Sequence, residues 1–333
     1  GIQDRPSVAG LSDGGFVAIW RDDSQTGDDT SRNAVRGQAF NADGTTRGDE
    51  FLVNTTTGGD QFDPSVTGLS DGGFVATWED FSRVGDDTSA GAVRGQAYNA
   101  DGTTRGDEFL VNTTTENTQS DPSVTGLSDG GFVATWEDSS QTGDDTSNRA
   151  IRGQAYNADG TMRGDEFLVN TTTEGRQGDP SVTGLSDGGF VAVWQDFSGT
   201  GGDTSSWAIR GQAFNADGTA RGDEFLVNTT TVDAQRDPSV AGVSDGRFVV
   251  TWSDFSRVGE DTSAGAIRGQ AFNADGTARG DEFLVNTTTV DAQRDPSVAG
   301  VSDGRFVVTW SDFSRTGEDT SRGAIRAQVF SLD

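Results

Sequence analysis

The chain repeats one segment at a fixed spacing, and this repeat constrains its fold more than any other feature. The segment is Phe-Val-Ala-Thr-Trp-Glu-Asp at residues 132–138, and its tryptophan recurs every 58 residues. All six prolines recur in the same phase. A period of this size is typical of propellers, solenoids and arrays. We therefore expect a single repeat domain over residues 1–333, with units at about 6–63, 64–121, 122–179, 180–237, 238–295 and 296–333.

Each unit predicts four short antiparallel strands, which in the third unit lie at about 123–127, 132–136, 150–156 and 166–170. Asp-Gly turns join the first strand to the second and the third to the fourth, as in tight hairpins. Phe132, Ala134 and Trp136 alternate onto one face of the second strand. No segment has helical periodicity. The pattern predicts an all-β fold, a six-bladed β-propeller, with a β-solenoid as the main alternative.

The last unit stops after its third strand, where its sequence also departs from the repeat at Ala327 and Val329. This divergence favours a domain end. The last blade is then expected to lack its fourth strand. It would leave an open edge that can pair with another segment or another chain.

The charge of the chain limits its partners. The net charge is −29, and all 24 basic residues are arginines. Such a surface repels nucleic acid and anionic membranes, so we expect neither as a partner. No apolar run approaches the roughly 18 residues of a membrane-spanning helix, so no membrane insertion is expected. The acidity favours a salt-loving source or bound cations, and the two are compatible.

The loop after the second strand carries most of the candidate site residues. Each copy gathers two or three acids with Ser and Thr, which are hard oxygen ligands suited to Ca²⁺. The alternative is a solvated loop in which Asp and Ser cap turns. The fourth copy has Gly202 in place of the middle acid. The candidate ligands are Asp22, Asp28, Asp29, Asp80, Asp86, Asp87, Asp138, Asp144, Asp145, Asp196, Asp203, Asp254, Glu260, Asp261, Asp312, Glu318 and Asp319.

Three further residues are candidates for ligand binding. Arg152 and Gln154 share one face of the third strand, where they can contact a ligand between blades or satisfy backbone groups at the blade edge. Trp207 has no counterpart in the other units. An exposed tryptophan there can stack on a sugar or a partner, and chance divergence of a surface position is the alternative.

The repeat resembles those of large secreted bacterial proteins of the RTX, hemolysin-type calcium-binding and adhesin class. The resemblance lies in Asp-Gly-Gly-Phe-Val-Ala-Thr-Trp at 129–136, Arg-Gly-Gln-Ala-Tyr-Asn-Ala-Asp-Gly at 152–160 and Glu-Phe-Leu-Val-Asn-Thr at 166–171. It implies a secreted or surface-attached, non-enzymatic module in a calcium-rich setting. The Gly-Gly-x-Gly-x-Asp nonapeptide of true RTX segments is absent, so calcium binding does not follow from that motif.

The sequence supports three hypotheses about function. The first is a non-enzymatic binding or adhesion module, secreted or at the cell surface, whose repeated sites bind a glycan or another surface partner with avidity. The second is a structural spacer within a larger surface protein. The third is a carbohydrate-active enzyme, which we rank last because His and Cys are absent and no acid pair stands out from the repeat.

Overall fold

The computed structural model describes residues 1–27, 31–243, 246–301, 303–317, 321 and 323–332. The chain divides into two compact units, Gly1–Leu168 and Val169–Asp333. Among the described residues there are only strands, turns and loops, and no helix suited to crossing a membrane. The single domain expected over residues 1–333 stays a prediction.

The first unit contains three four-stranded antiparallel blades, each with its strands in chain order across the sheet. Tight turns join its hairpins, and longer loops join the second strand to the third. Its strands are β1 (Gln3–Gly10), β2 (Phe16–Asp22), β3 (Ala34–Phe40), β4 (Thr46–Leu52), β5 (Gln61–Gly68), β6 (Phe74–Asp80), β7 (Ala92–Tyr98), β8 (Thr104–Leu110), β9 (Gln119–Gly126), β10 (Phe132–Asp138), β11 (Ala150–Tyr156) and β12 (Met162–Leu168).

The second unit contains two four-stranded blades and a final blade of three strands. The six blades confirm the predicted all-β propeller with an incomplete last blade. Edge pairing by that blade stays a prediction. The strands of this unit are β13 (Gln177–Gly184), β14 (Phe190–Asp196), β15 (Ala208–Phe214), β16 (Ala220–Leu226), β17 (Gln235–Gly242), β18 (Phe248–Asp254), β19 (Ala266–Phe272), β20 (Ala278–Leu284), β21 (Gln293–Gly300), β22 (Arg305–Asp312) and β23 (Ala324–Ser331).

The first and fourth strands of each blade begin earlier than the sequence pattern predicts. β9 begins at Gln119 rather than at residue 123, and β12 begins at Met162 rather than at 166. Both ladders continue across a β-bulge, where the pairing register shifts. In β12 the chain passes through Gly164, whose φ is +74°. Glycine adopts this conformation without a steric penalty, so the strand extends past a residue that looked like a bend.

The second strands form most of the core: β6, β10, β14 and β18 are buried along their whole length, whereas β2 and β22 are partly buried. β10 is buried along its whole length, on both faces rather than on the single face that alternation predicted. Trp136 is fully buried and packs in one cluster with Leu69 and Val75 of the preceding blade. Trp252 packs in the same way with Leu185 of the blade before it. The tryptophan is therefore a core residue between blades, and each such side chain stabilises the fold by roughly 1.5–3 kcal/mol.

A glutamate of the fourth strand links successive blades within each unit. The Glu108 carboxylate accepts hydrogen bonds from the backbone N–H and hydroxyl groups of Thr55 and Thr56, at 2.5–3.0 Å. Its side chain is 5% exposed and also accepts a hydrogen bond from Arg94 at 3.3 Å. The same threonine clamp recurs at Glu166, Glu224 and Glu282.

The first strands of successive blades approach closely enough to require glycine at their ends. A Cβ on Gly68 would lie 2.2 Å from the carbonyl oxygen of Gly10, and a Cβ on Gly242 would lie 2.7 Å from that of Gly184. Because real Cβ atoms cannot make such contacts, glycine alone permits this packing. It brings together side chains that the first strands of neighbouring blades carry.

Candidate functional site

Every first strand bulges at the residue before its proline. In the first unit these residues are Arg5, Asp63 and Asp121, with φ values of 50°, 45° and 50°. A residue before proline ordinarily prefers an extended conformation, and a positive φ is uncommon for any residue other than glycine. Strained backbone of this kind is often found at functional sites. The bulge therefore marks a candidate position for a functional site.

The residue that follows the core tryptophan adds buried carboxyl groups to the first unit. Glu79 is 7% exposed and Glu137 is fully buried. Arg149 forms an ion pair with Glu137, and Arg5 forms one with Asp63. We call the set Asp63, Glu79, Asp121 and Glu137, with the cations Arg5 and Arg149, the acidic cluster.

The acidic cluster changes the protonation of one of its members. Burial, first, and then the negative charge of Asp121 raise the pKa of Glu79 to about 8, with a further contribution from Glu137. Arg5 and Arg149 oppose this rise without cancelling it. None of the causes is a hydrogen bond to the carboxyl group. Glu79 therefore holds its proton at neutral pH beside other carboxyl groups, which is the state required of a general acid.

The equivalent positions of the second unit carry neutral side chains. The Gln195 amide oxygen accepts a hydrogen bond from the Asp237 backbone N–H at 3.3 Å, and the Ser253 hydroxyl accepts one from the Asp295 N–H at 3.1 Å. Burial raises the pKa of Asp237, although a hydrogen bond from Ser253 opposes the rise. At this position the second unit satisfies backbone groups, whereas the first unit places buried acids.

Sequence reasoning missed the acidic cluster, although a signal for it was present. It treated the residue after each tryptophan as part of a uniform repeat and located the unevenness only at Gly202 and Trp207. That position in fact reads Arg21, Glu79, Glu137, Gln195, Ser253 and Ser311, while the tryptophan before it never changes. It is the most variable position of the strand, and this variability was the available signal.

The acids predicted as metal ligands fall into three groups. The first group ends the second strand of each blade and is buried. Asp80 is representative, since it accepts hydrogen bonds from Gln61 at 3.0 Å, from Arg94 at 2.7 Å and from Ser82 at 2.5 Å. These aspartates tie three strands and the loop together. They are Asp22, Asp80, Asp138, Asp196, Asp254 and Asp312.

Asp312 shows how strongly these hydrogen bonds act. Burial by itself raises the pKa of this carboxyl group, but hydrogen bonds from Arg326, Ser314 and Gln293 outweigh it and lower the pKa to about 2. The carboxylate is therefore ionised throughout the neutral range and held by protein donors.

The second group lies just past the middle of the loop and is also buried, at Asp87, Asp145, Asp203 and Asp261. Asp87 accepts hydrogen bonds from the Ser89 N–H at 2.8 Å and from the Asn112 amide at 2.9 Å. Asn112 in turn accepts a hydrogen bond from the Val93 N–H at 2.8 Å. These acids cap the loop and hold it to the fourth strand.

The third group is exposed and lies in the middle of the loop, at Asp86, Asp144 and Glu260. Asp28, Asp29, Glu318 and Asp319 lie outside the described residues. The buried acids are bonded to protein donors, and the exposed ones face solvent. Calcium binding by these loops stays a prediction.

The candidate ligand-binding residues have protein partners. Arg152 donates to Asp138 at 2.6 Å and to Glu166 at 3.2 Å. Gln154 is fully buried and donates to the backbone carbonyls of its own blade, which matches the alternative that it satisfies backbone groups. Trp207 is half-buried, 4.9 Å from the Phe197 ring, with the guanidinium groups of Arg176 and Arg236 at 5.6 and 5.5 Å from its own ring. A role for these residues toward a ligand stays a prediction.

Comparison with protein-family models and curated proteins identifies no relative of this chain. The resemblance to RTX and hemolysin-type repeats therefore gains no support from sequence comparison.

Solved structures with the same fold include two enzymes. A protein of unknown function from Dyadobacter fermentans matches with a TM-score of 0.64 and 13% identity, over 98% of this chain and 93% of that chain. The α-L-arabinofuranosidase Arb93A from Fusarium graminearum matches with a TM-score of 0.61 and 13% identity, over 98% and 92%. The NanB sialidase from Streptococcus pneumoniae matches with a TM-score of 0.60 and 8% identity, over 99% and 68%.

These comparisons contradict the expectation of a non-enzymatic binding or adhesion module. Two of these three similar structures are carbohydrate-active enzymes, and they favour the hypothesis that the sequence analysis ranked last. That ranking was wrong because it assumed that all acid pairs are equivalent, whereas the fold places Glu79, Asp121 and Glu137 together in one cluster. At this identity the likeness establishes the fold alone, so the activity of this chain has to rest on its own residues.

Proposed function

We propose that the protein is a glycoside hydrolase whose proton donor is Glu79. The single observation that carries the proposal is a buried carboxyl group with a pKa raised to about 8, set among other carboxyl groups. Glycosidases generally use two carboxyl groups, one that protonates the leaving oxygen and one that acts as nucleophile or base. The acidic cluster supplies both kinds without His or Cys.

Asp121 is the partner carboxylate in this proposal. It is half-buried and therefore more accessible than Glu137, which is fully buried and paired with Arg149. Its negative charge is the largest contribution to the pKa of Glu79 after burial. A negative charge beside Glu79 keeps the acid protonated until the leaving group takes the proton.

The neutral residues of the second unit support a catalytic reading of these acids. Gln195 and Ser253 meet the hydrogen-bonding need of the following blade without a charge. The fold therefore does not require a carboxyl group at this position. Burying a carboxyl group without a compensating hydrogen bond lowers stability. Because the fold does not need this carboxyl group, its presence indicates a functional role.

The enzyme is proposed to act on a glycan outside the cell, either secreted or at the cell surface. This location follows from the resemblance of the repeat to those of secreted bacterial proteins. Calcium at the exposed loop acids is proposed only as a stabilising ion, since those acids are not part of the acidic cluster.

Hydrolysis of a panel of aryl glycosides and polysaccharides tests the proposal. We expect the wild-type chain to release sugar from at least one substrate, with a basic limb of the pH profile near the pKa of Glu79, about 8. Glu79→Gln should lower kcat by about 10²–10⁴-fold, the usual contribution of a general acid.

Glu116→Gln is the matched control, because Glu116 is an exposed glutamate of the same unit. It should leave the rate and the pH profile unchanged. Equal activity in the Glu79 and Glu116 variants would exclude the assigned proton donor. A folded chain that hydrolyses no substrate of the panel would contradict the proposed function itself.

A further inference from the structure

The second unit carries two arginine-lined pockets that the proposed catalytic residues do not use. The Phe255 pocket, of about 400 Å³, is lined by Phe255, Arg257, Arg236, Arg294 and Asp233, together with two alanines. The Phe313 pocket, of about 570 Å³, is lined by Phe313, Arg315, Arg294 and Asp291, together with an alanine. Cavities of this size suit a sugar residue or a short oligosaccharide.

These pockets are locally basic in a strongly acidic chain. The Phe255 pocket sets three arginines against one aspartate, and the Phe313 pocket sets two against one. The chain as a whole carries 53 acidic residues and only 24 arginines. A concentration of arginine against this background attracts an anionic ligand.

The pocket arginines are not paired with acids, unlike the arginines of the third strands. Arg210, for example, contacts both Asp196 and Glu224. Among the described residues, none of the four pocket arginines Arg236, Arg257, Arg294 and Arg315 forms an ion pair, although the positive charges of Arg236 and Arg294 act on the carboxyl group of Asp237. Their guanidinium donors are exposed and available to a ligand.

Aromatic rings orient two of these arginines. The Arg294 guanidinium lies 5.1 Å from the centre of the Phe255 ring, and the Arg236 guanidinium lies 5.5 Å from that of Trp207. A guanidinium that stacks on a ring keeps its in-plane N–H donors free, and its planar fork matches a carboxylate or a sulfate. Stacking also reduces the side-chain entropy that is lost when a ligand binds.

One loop position has a positive φ in all six blades, and in the two pockets this position carries arginine. Arg257 and Arg315 have φ values of 56° and 54°, in the left-handed region. The equivalent residue of the preceding blade is Gly199, for which the same region carries no steric penalty. Arginine thus occupies a position in both pockets that glycine fills at lower cost.

We propose that the Phe255 and Phe313 pockets are two subsites for the acidic sugar residues of one polyanionic glycan, with Arg294 serving both. The proposal goes beyond the proposed function, because it assigns to the second unit a binding site for a carboxylated or sulfated polysaccharide. Arg257 and Arg236 complete one subsite, and Arg315 completes the other. The two anion types share the guanidinium chemistry and are separated by experiment.

Calorimetric titration of the full chain tests the proposal. The probes are an oligogalacturonate, a chondroitin sulfate oligosaccharide and a neutral malto-oligosaccharide of similar length. We expect one or both acidic probes to bind more weakly at about 300 mM than at about 50 mM NaCl, because salt screens exposed charges. The neutral probe should not bind. The acidic probe that binds more tightly identifies the anion as carboxylate or sulfate.

Arg294→Gln should weaken binding of the acidic probe by about tenfold or more, because it removes charge-assisted hydrogen bonds from both pockets. Arg294→Lys should weaken it less, because the charge remains while the fork is lost. Arg83→Gln is the control, since Arg83 has the same loop position as Arg257 and Arg315 and a φ of 57° but belongs to the first unit. It should bind like the wild type.

Absence of binding by both acidic probes, equal binding of the neutral probe, or equal affinity in the Arg294→Gln and Arg83→Gln variants would each overturn the proposal. Glu79→Gln separates this test from that of the proposed function, because it should bind the acidic probe normally while losing turnover. Binding without hydrolysis in the wild-type chain would leave the subsites standing and contradict the glycosidase. A wild-type chain that hydrolyses a glycoside but binds neither acidic probe would do the opposite.

Discussion

The residue after the core tryptophan performs different tasks in the two units of the chain. In the second unit Gln195 and Ser253 accept a hydrogen bond from the next blade and carry no charge. In the first unit Glu79 and Glu137 place buried carboxyl groups on the same scaffold. The strands around them have the same register in both units.

The comparison shows that the scaffold requires only a hydrogen-bond acceptor at this position, and that the buried carboxyl groups of the first unit exceed this requirement. A neutral acceptor is sufficient for the blade-to-blade contact, so the fold tolerates any small polar side chain there. Burial raises the pKa of Glu79, which means that the folded chain keeps the acid in an environment that disfavours its charge. A repeat protein can thus acquire a reactive group by changing one residue in two of its blades.

Replacing the aspartate before proline in each unit is expected to give the largest contrast. Asp121→Asn should lower kcat by about 10²-fold or more, since it removes the partner carboxylate. It should also shift the basic limb of the pH profile to lower pH, because the Asp121 charge raises the pKa of Glu79. Asp237→Asn, the equivalent change in the second unit, should alter neither quantity. Steady-state kinetics between about pH 5 and about pH 9 provide the measurement.

The pH dependence of stability should differ between wild type and Glu79→Gln. The pKa of Glu79 is about 8 in the folded chain and has its ordinary value of 4.5 when unfolded. Between these values the folded state holds a proton that the unfolded state has released. This contribution to the free energy of unfolding is therefore complete below about pH 4.5 and is lost as the pH rises through about 8.

Glu79→Gln lacks this titration. Its free energy of unfolding minus that of the wild type should therefore be greater at about pH 9 than at about pH 5, a relative gain of roughly 2–4 kcal/mol. Urea denaturation at the two pH values measures the gain. Parallel pH curves for the two proteins would show that Glu79 has an ordinary pKa. The comparison between the two units would then lose its electrostatic basis.

The threonine clamp should contribute equally in both units, because it belongs to the shared scaffold. Glu108→Gln and Glu282→Gln should each lower the free energy of unfolding by about 1–3 kcal/mol, since a neutral amide leaves buried donors unsatisfied. Glu50→Gln is the control, because this equivalent glutamate is 50% exposed and contacts Arg36 alone among the described residues. Its cost should stay below about 0.5 kcal/mol. Unequal costs for Glu108 and Glu282 would show that the units differ in scaffold as well as in chemistry.

Ser253→Ala should have the smallest effect. It removes the hydrogen bond that Ser253 accepts from the Asp295 N–H and the one that it donates to the half-buried Asp237, which water can replace. The free energy of unfolding should fall by about 0.5–1.5 kcal/mol. Activity should be unchanged, and thermal denaturation is a sufficient readout. A loss of activity comparable to that of Asp121→Asn would place the second unit in the reaction and remove the contrast between the units.

Much of the fold could be predicted from the sequence, because its period and turns are local properties. Trp136 and its equivalents gave the blade, Asp-Gly turns gave the hairpins, and the shortened last unit gave the three-stranded blade. The extents of β9 and β12 were wrong, because bulges let these ladders continue past a proline and a glycine. The pattern did not show these bulges, since each depends on the partner strand.

The candidate site could not be predicted in the same way. The loop acids were predicted as metal ligands because they cluster in the sequence. The described buried ones, such as Asp80 and Asp87, accept hydrogen bonds from protein donors. Glu79 and Asp121 lie far apart in sequence and meet only because the first strands of neighbouring blades pack closely. Because these two residues are distant in the sequence, they do not form a sequence motif.

The sequence by itself determined the number of blades, the strands within each blade and the residues that form the core, because these depend on periodicity and burial of apolar side chains. The tertiary structure alone decided which carboxyl groups are buried together and which of the described arginines form no ion pair. A pKa depends on the groups that surround a side chain in space. Those groups come from different blades, which only folding brings into contact.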